Sequence, residues 1–108
     1  MKKVIYLAGP ITGVPDYQTR FNATESYLGW KGWTVLNPAN LPEGMKPDAY
    51  MPICLAMLQA ADAMVKLVGS DASEGVAIEE RYARYQGKAV YAGIESVPCI
   101  DDAEVTEL

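Results

Sequence analysis

The sequence predicts an α/β protein: a three-layer, open parallel sheet of four to five strands with helices on both faces. Two observations carry this expectation. Short apolar runs rich in β-forming residues alternate with longer segments whose apolar residues recur at helical spacing. Each run is closed by a local stop, usually a glycine or an asparagine–proline pair. Alternation of strand and helix favours parallel pairing through right-handed crossovers. A chain of 108 residues suits one such domain, taken as 1–108.

The first strand is "KVIYLA", Lys3 to Ala8, apolar enough to be buried on both faces and ended by "GPITG". Asp16 is placed to cap the first helix, whose inward positions are Tyr17, Phe21, Thr24 and Leu28, with Gly32 as its stop. "WTVLNP" is the second strand, ended at Asn37-Pro38, and "ANLPEGMKP" is a loop. Asp48 is placed to cap a second helix with Ile53, Met57 and Ala61 on its buried stripe and Pro52 near its first turn. "DAMVKLV" is strand three and "GSDAS" the loop after it. "EGVAIEERYARYQG" is helix three, with Ile78, Tyr82 and Tyr85 at helical spacing and Gly87 as stop. "KAVYAGI" is strand four; a short fifth strand is expected around Val97 to Ile100. The acidic residues 101–108 are expected as a loose or edge segment. The whole has the pattern of a flavodoxin-like or Rossmann-like sheet, which binds ligands at the carboxyl ends of its strands. "GPITG", "NPANLPEG" and "GSDASEG" fall there.

Composition narrows the function. The net charge of −5 argues against a nucleic-acid polymer as partner, which needs a basic footprint, but leaves room for a single nucleotide in a local pocket. No apolar run is long enough to span a membrane, and "MKKVIYLAGPITG" reads as a buried strand rather than a signal peptide, so the expected location is cytoplasmic. Cys54 and Cys99 have no partner motif and read as buried thiols. The chain has no histidine, which removes His-based triads, His metal sites and a His general base. "GPITG" is neither GxGxxG nor a Walker loop, which argues against dehydrogenase and NTPase chemistry.

The stretch "SEGVAIE", Ser73 to Glu79, has two readings. Ser73 is a good helix cap, worth about 1 kcal/mol, and Glu79 is then a solvated or ion-paired surface acid. Alternatively, the helix start is an anion site, with Gly75 letting a ligand approach the backbone and Glu79 facing the same cleft. Glu80 is expected to point outward, because Ile78 and Tyr82 mark the buried stripe. Tyr6 reads first as a core tyrosine with a tethered hydroxyl, and Asp62 as an unremarkable turn residue.

Three blocks shift that balance. "IYLAGPITG", "ADAMVKLVG" and "SEGVAIEERYARYQGKAVY", in this order and spacing, resemble the nucleoside 2-deoxyribosyltransferase superfamily up to about Gly93. The chain is most similar to its small uncharacterised phage and bacterial members, which share "YLAGPITG". The resemblance implies that Glu79 attacks C1′ of a sugar, that Tyr6 lies beside it, that Gly9 and Pro10 line the nucleoside site, and that Asp62 belongs to the active-site region. It also implies Ser73 as a phosphate-binding residue at the helix start, where the missing side chain of Gly75 already suits substrate binding. Where the transferases carry an aspartate two residues before the motif glycine, this chain has Ser73, as in the related deoxynucleoside monophosphate N-glycosidases. That departure favours a nucleotide over a free nucleoside. A second departure is "LVGSDAS", which lacks the tryptophan of many small relatives.

The implied function is cleavage of an N-glycosidic bond by hydrolysis or base transfer, without metal or cofactor, on a small nucleoside or nucleotide. A carboxylate suits that chemistry, because it traps oxocarbenium character at C1′. The leaving base needs a proton, with Asp62, Asp71, a tyrosine or water as candidates. The alternative is a nucleotide-binding protein that senses or sequesters without chemistry. The resemblance also implies a homodimer or higher homo-oligomer; the aromatics Trp30, Trp33, Tyr82 and Tyr85 would suit an interface and would equally suit a sheet-facing core.

Overall fold

The computed structural model describes residues 2–100. Among the described residues the sheet has four parallel strands, β1 (Val4–Ala8), β2 (Thr34–Leu36), β3 (Ala63–Lys66) and β4 (Ala89–Tyr91), in the order β2-β1-β3-β4. Tyr6 sits opposite Leu36 on one side and Met64 on the other. The helices are α1 (Tyr17–Trp30), α2 (Pro47–Ala60) and α3 (Glu74–Tyr85). None of the described helices is long and apolar enough to cross a membrane.

Strand alternation sorts the core into two layers. Ile5 and Leu7 of β1 and Val65 of β3 pack with Phe21 and Leu28 of α1. Tyr6 and Ala8 of β1 and Met64 of β3 pack with Cys54 and Leu58 of α2 and Val76 and Ala83 of α3. The expected doubly covered parallel sheet is therefore present. The α1 stripe agrees with the sequence reading, with Phe21, Thr24 and Leu28 buried. Lys88 donates from Nζ to the carbonyls of Gln59 (3.1 Å) and Ala61 (2.6 Å), satisfying carbonyls at the α2 C-terminus.

Several local expectations are corrected. Asp16 holds the N-cap position of α1 with φ 59° and makes no side-chain cap bond. Asp48 lies inside the first turn of α2, which starts one residue earlier at Pro47, with Lys46 at the cap. The buried α2 stripe is Cys54 and Leu58, followed by Ala61, while Ile53 is 36% exposed. In α3 the buried residues are Val76, Glu79 and Ala83, and Ile78 and Tyr85 stand in solvent. Small Ala83 lets α3 approach its neighbours closely, with Tyr82 half-buried against the same layer and Tyr85 left outside.

No fifth strand forms at Val97 to Ile100. Pro98 has no N–H for a ladder. The segment is held instead by the corner after α1. Lys31 Nζ donates to Val97 O (2.7 Å), Trp33 Nε1 to Pro98 O (2.8 Å), and Ile100 N to Lys31 O (2.8 Å). Trp33 is therefore a core residue rather than an interface aromatic, while Trp30 is 80% exposed. Of the cysteines, Cys54 is buried and Cys99 is exposed. The expectation for residues 101–108 lies outside the described residues.

Candidate active site

A cleft of about 790 Å³ opens at the carboxyl ends of the strands. It is walled by the loop after β1 (Gly9 to Thr12), the loop after β2 with the start of α2, and the start of α3. These are the three segments the sequence placed at the ligand-binding edge. Gly9 is closely packed: a Cβ there would lie 3.1 Å from Leu67 Cβ and from Phe21 Cζ, so a neighbour would have to give by a few tenths of an ångström. Tyr50 fixes the far wall, donating to Pro42 O (2.7 Å) and accepting from Met45 N (3.2 Å).

At the inner end of the cleft, the Tyr6 hydroxyl donates to Glu79 Oε2 at 2.5 Å, across 73 residues of sequence. Tyr6 points toward the α2–α3 layer because it shares the strand face of Ala8. Glu79 faces it because α3 turns Val76, Glu79 and Ala83 inward. Both side chains are buried, Tyr6 to 1% exposure and Glu79 to 6%. Glu79 Oε1 accepts no hydrogen bond from the described residues, and Glu79 lines the cleft. No described buried polar side-chain atom is left both enclosed and unpartnered, so this free oxygen faces the open space.

Burial pushes the Glu79 carboxyl up to about 7, and the Tyr6 hydrogen bond pulls it down only in part. The Tyr6 phenol is raised far above its ordinary value, first by burial and then by the Glu79 charge. Burial also pushes up the thiol of Cys54, which lines the cleft. A carboxyl poised near neutrality, held by one donor and open on its other oxygen, is equipped to act as a nucleophile or base.

Ser73 and Gly75 lie on the wall of this cleft with Gly9 and Pro10. Ser73 is the α3 cap, its Oγ accepting from Val76 N at 3.2 Å. Gly75 has no structural need to be glycine. Its φ is not positive, and a Cβ would meet only Met51 Cε at 3.5 Å and Ser73 Oγ at 3.8 Å, ordinary contacts. An open face at the first turn of α3 is thus maintained on the cleft side.

Asp62 is not brought to this cleft. It precedes β3 at the amino ends of the strands, and its Oδ2 accepts from Val4 N at 2.9 Å, fixing the start of β1. Carboxyl-end loops and amino-end turns lie on opposite edges of a parallel sheet, so β3 separates Asp62 from Glu79. Asp71 lines a different cleft of about 490 Å³, with Arg20, Ser70 and Glu95. Glu80 turns away, as expected, and is paired with Lys66 (3.0 Å) and Arg84 (2.8 Å). These hydrogen bonds, first from Lys66 and then from Arg84, hold its carboxyl below the usual range. Cys54 and Tyr17, which the sequence offers only as a buried thiol and a helix-stripe residue, and Tyr50 also line the cleft, because only the tertiary fold brings them there.

Fold and site together define a class: a flavodoxin-like α/β protein with a buried tyrosine–glutamate pair beneath a strand-end cleft. A solved structure of the same fold is that of a 2-desoxiribosyltransferase from Leishmania mexicana. It matches with a TM-score of 0.66 and 25% identity over 84% of this chain. The match spans 64% of the length of that protein. No curated protein matches the chain. Residues 3–92 match a family model described as Domain of unknown function (DUF4406), and the chain belongs to that family.

Proposed function

We propose that the protein cleaves the N-glycosidic bond of a (deoxy)nucleoside or its monophosphate, by hydrolysis or by transfer to another base. The observation that carries this reading is the Tyr6–Glu79 pair, buried and yet open on one carboxylate oxygen to the cleft. The likeness to a 2-desoxiribosyltransferase supports it. Glu79 attacks C1′ as the C1′–N bond opens, giving a glycosyl-enzyme that water or a second base resolves. Tyr6 orients the attacking carboxylate and keeps part of the pair charged near neutrality. Ser73, Gly75 and the α3 N-terminus hold the 5′ end of the substrate, and Gly9 and Pro10 line the nucleoside. Exposed Trp30 and Tyr85 offer surface for self-association.

The test is release of free base from a panel of deoxynucleosides and deoxynucleotides, by wild type and Glu79→Gln. Base release that depends on Glu79 is expected. Activity retained by Glu79→Gln removes its assigned role. Tight binding without turnover across the panel replaces the reading with that of a sensing or sequestering protein.

A further inference from the structure

The charged residues that line the cleft are all acidic. Glu43, Glu74 and Glu79 line it, and no lysine or arginine does. The chain has 9 lysines and arginines, all of them among the described residues. Five are engaged elsewhere: Arg20 on Val68 O, Lys31 on Val97 O, Lys66 and Arg84 on Glu80, and Lys88 on the end of α2. Lys2 and Lys3 precede β1 at the opposite edge of the sheet, and Arg81 lies on α3 without lining the cleft. Lys46 is flanked by two lining residues, Met45 and Pro47, but does not itself line the cleft. The rings of Tyr17 and Tyr50 add two aromatic surfaces to the walls.

The second observation concerns protons. A neutral base leaving C1′ takes up an electron pair and needs a proton to depart as a stable species. Glu79 cannot both attack C1′ and protonate the base. The Tyr6 phenol is committed to Glu79, and burial raises both it and the Cys54 thiol, so neither gives up a proton readily. The Tyr50 hydroxyl is committed to Pro42 O, and the phenol of Tyr17, which also lines the cleft, is raised by desolvation and then by the nearby Glu43 charge. Asp62 and Asp71, the two aspartates considered from sequence, lie outside the cleft.

We propose that the preferred substrate is a nucleoside whose base carries a positive charge, such as an N-alkylated purine or a pyridinium. This rests on the glycosidic-bond reading above and names the substrate class of that same site. Carboxylates and tyrosine faces attract a cationic ring. The chemistry then closes without an acid. The C1′–N bond breaks, its electron pair neutralises the base, and Glu79 forms the C1′–O bond. Water next attacks C1′, releasing the sugar and Glu79, and its proton goes to solvent.

The test compares kcat/KM for 7-methyl-2′-deoxyguanosine with that for 2′-deoxyguanosine, in wild type, Glu43→Gln and Glu74→Gln. Leaving-group chemistry is the same in all three proteins, so the change in the ratio isolates the field of the cleft. Each substitution is expected to shrink the preference for the cationic nucleoside by about three- to fivefold, the loss of one nearby charge in a wet cleft. Added salt is expected to shrink it in the wild type as well, which needs no variant. Base release from both nucleosides, with a ratio indifferent to the substitutions and to salt, overturns the charge inference and leaves the glycosidic reading standing. A preference for 2′-deoxyguanosine does the same. Release from neither, nor from the corresponding monophosphates, overturns the glycosidic reading and this inference with it.

Discussion

Replacing Glu79 by glutamine should make the protein more stable at neutral pH while abolishing the proposed base release. Glu79 is 6% exposed, and its carboxyl is raised from 4.5 to about 7, chiefly by burial. Between those values the native state keeps a proton that the unfolded chain has lost. Stability therefore falls as pH rises through that window and levels off above about 7. The shift corresponds to about 3 kcal/mol. The amide introduced by Glu79→Gln has nearly the same shape as the carboxyl, can still accept from the Tyr6 hydroxyl, and carries no proton to lose. The assay is urea unfolding of both proteins from pH 4.5 to pH 8. The stability difference, variant minus wild type, is expected to grow by about 3 kcal/mol across the range, because other titrating groups cancel. Base release is expected to fall on the order of 10³-fold or more. A stability difference that stays flat with pH refutes the argument that Glu79 ionises in a buried site.

Three further substitutions separate the roles around the cleft. Tyr6→Phe removes the donor that lowers the Glu79 carboxyl, so the rising limb of the pH–activity profile should move to higher pH. A profile unmoved by Tyr6→Phe shows that the pair is not coupled in solution. Gly75→Ala should leave stability unchanged or raise it by up to about 1 kcal/mol, because nothing in the fold obstructs a Cβ, yet weaken substrate binding; chemical denaturation and KM read the two effects. Ser73→Ala removes the α3 cap and should cost about 1 kcal/mol. If Ser73 also binds a 5′-phosphate, KM rises more for the monophosphate than for the nucleoside; an equal change in both marks it as a cap alone.

The layout of the fold was legible because its signals are local. "KVIYLA" and "DAMVKLV" are apolar runs with a stop, and α1 between them carries its buried period, Phe21, Thr24 and Leu28, although neither Asp16 nor Asp48 makes the expected side-chain cap. What escaped was which of two stripes a helix buries. In α3, Ile78, Tyr82 and Tyr85 form an apolar stripe, yet Val76, Glu79 and Ala83 face inward. The competing stripe is favoured because Ala83 allows close packing and Glu79 finds the Tyr6 hydroxyl, a partner 73 residues away. The same non-local cause explains the missing fifth strand, since Lys31 and Trp33 take the carbonyls of Val97 and Pro98. Gly9, Pro10, Ser73, Gly75 and Glu79 converge because the elements at the strand ends share one edge of a parallel sheet, and Tyr6 joins them from within β1 through its hydrogen bond to Glu79. Asp62 does not, because its place before β3 puts it on the other edge.

The most direct measurement is the intact mass of the protein, acid-quenched during turnover of 7-methyl-2′-deoxyguanosine, followed by peptide mapping. A deoxyribosyl adduct on the peptide carrying Glu79, absent in Glu79→Gln, is expected. Turnover with the adduct on another residue, or with no adduct in wild type and undiminished rate in Glu79→Gln, contradicts the assignment of Glu79 as the nucleophile.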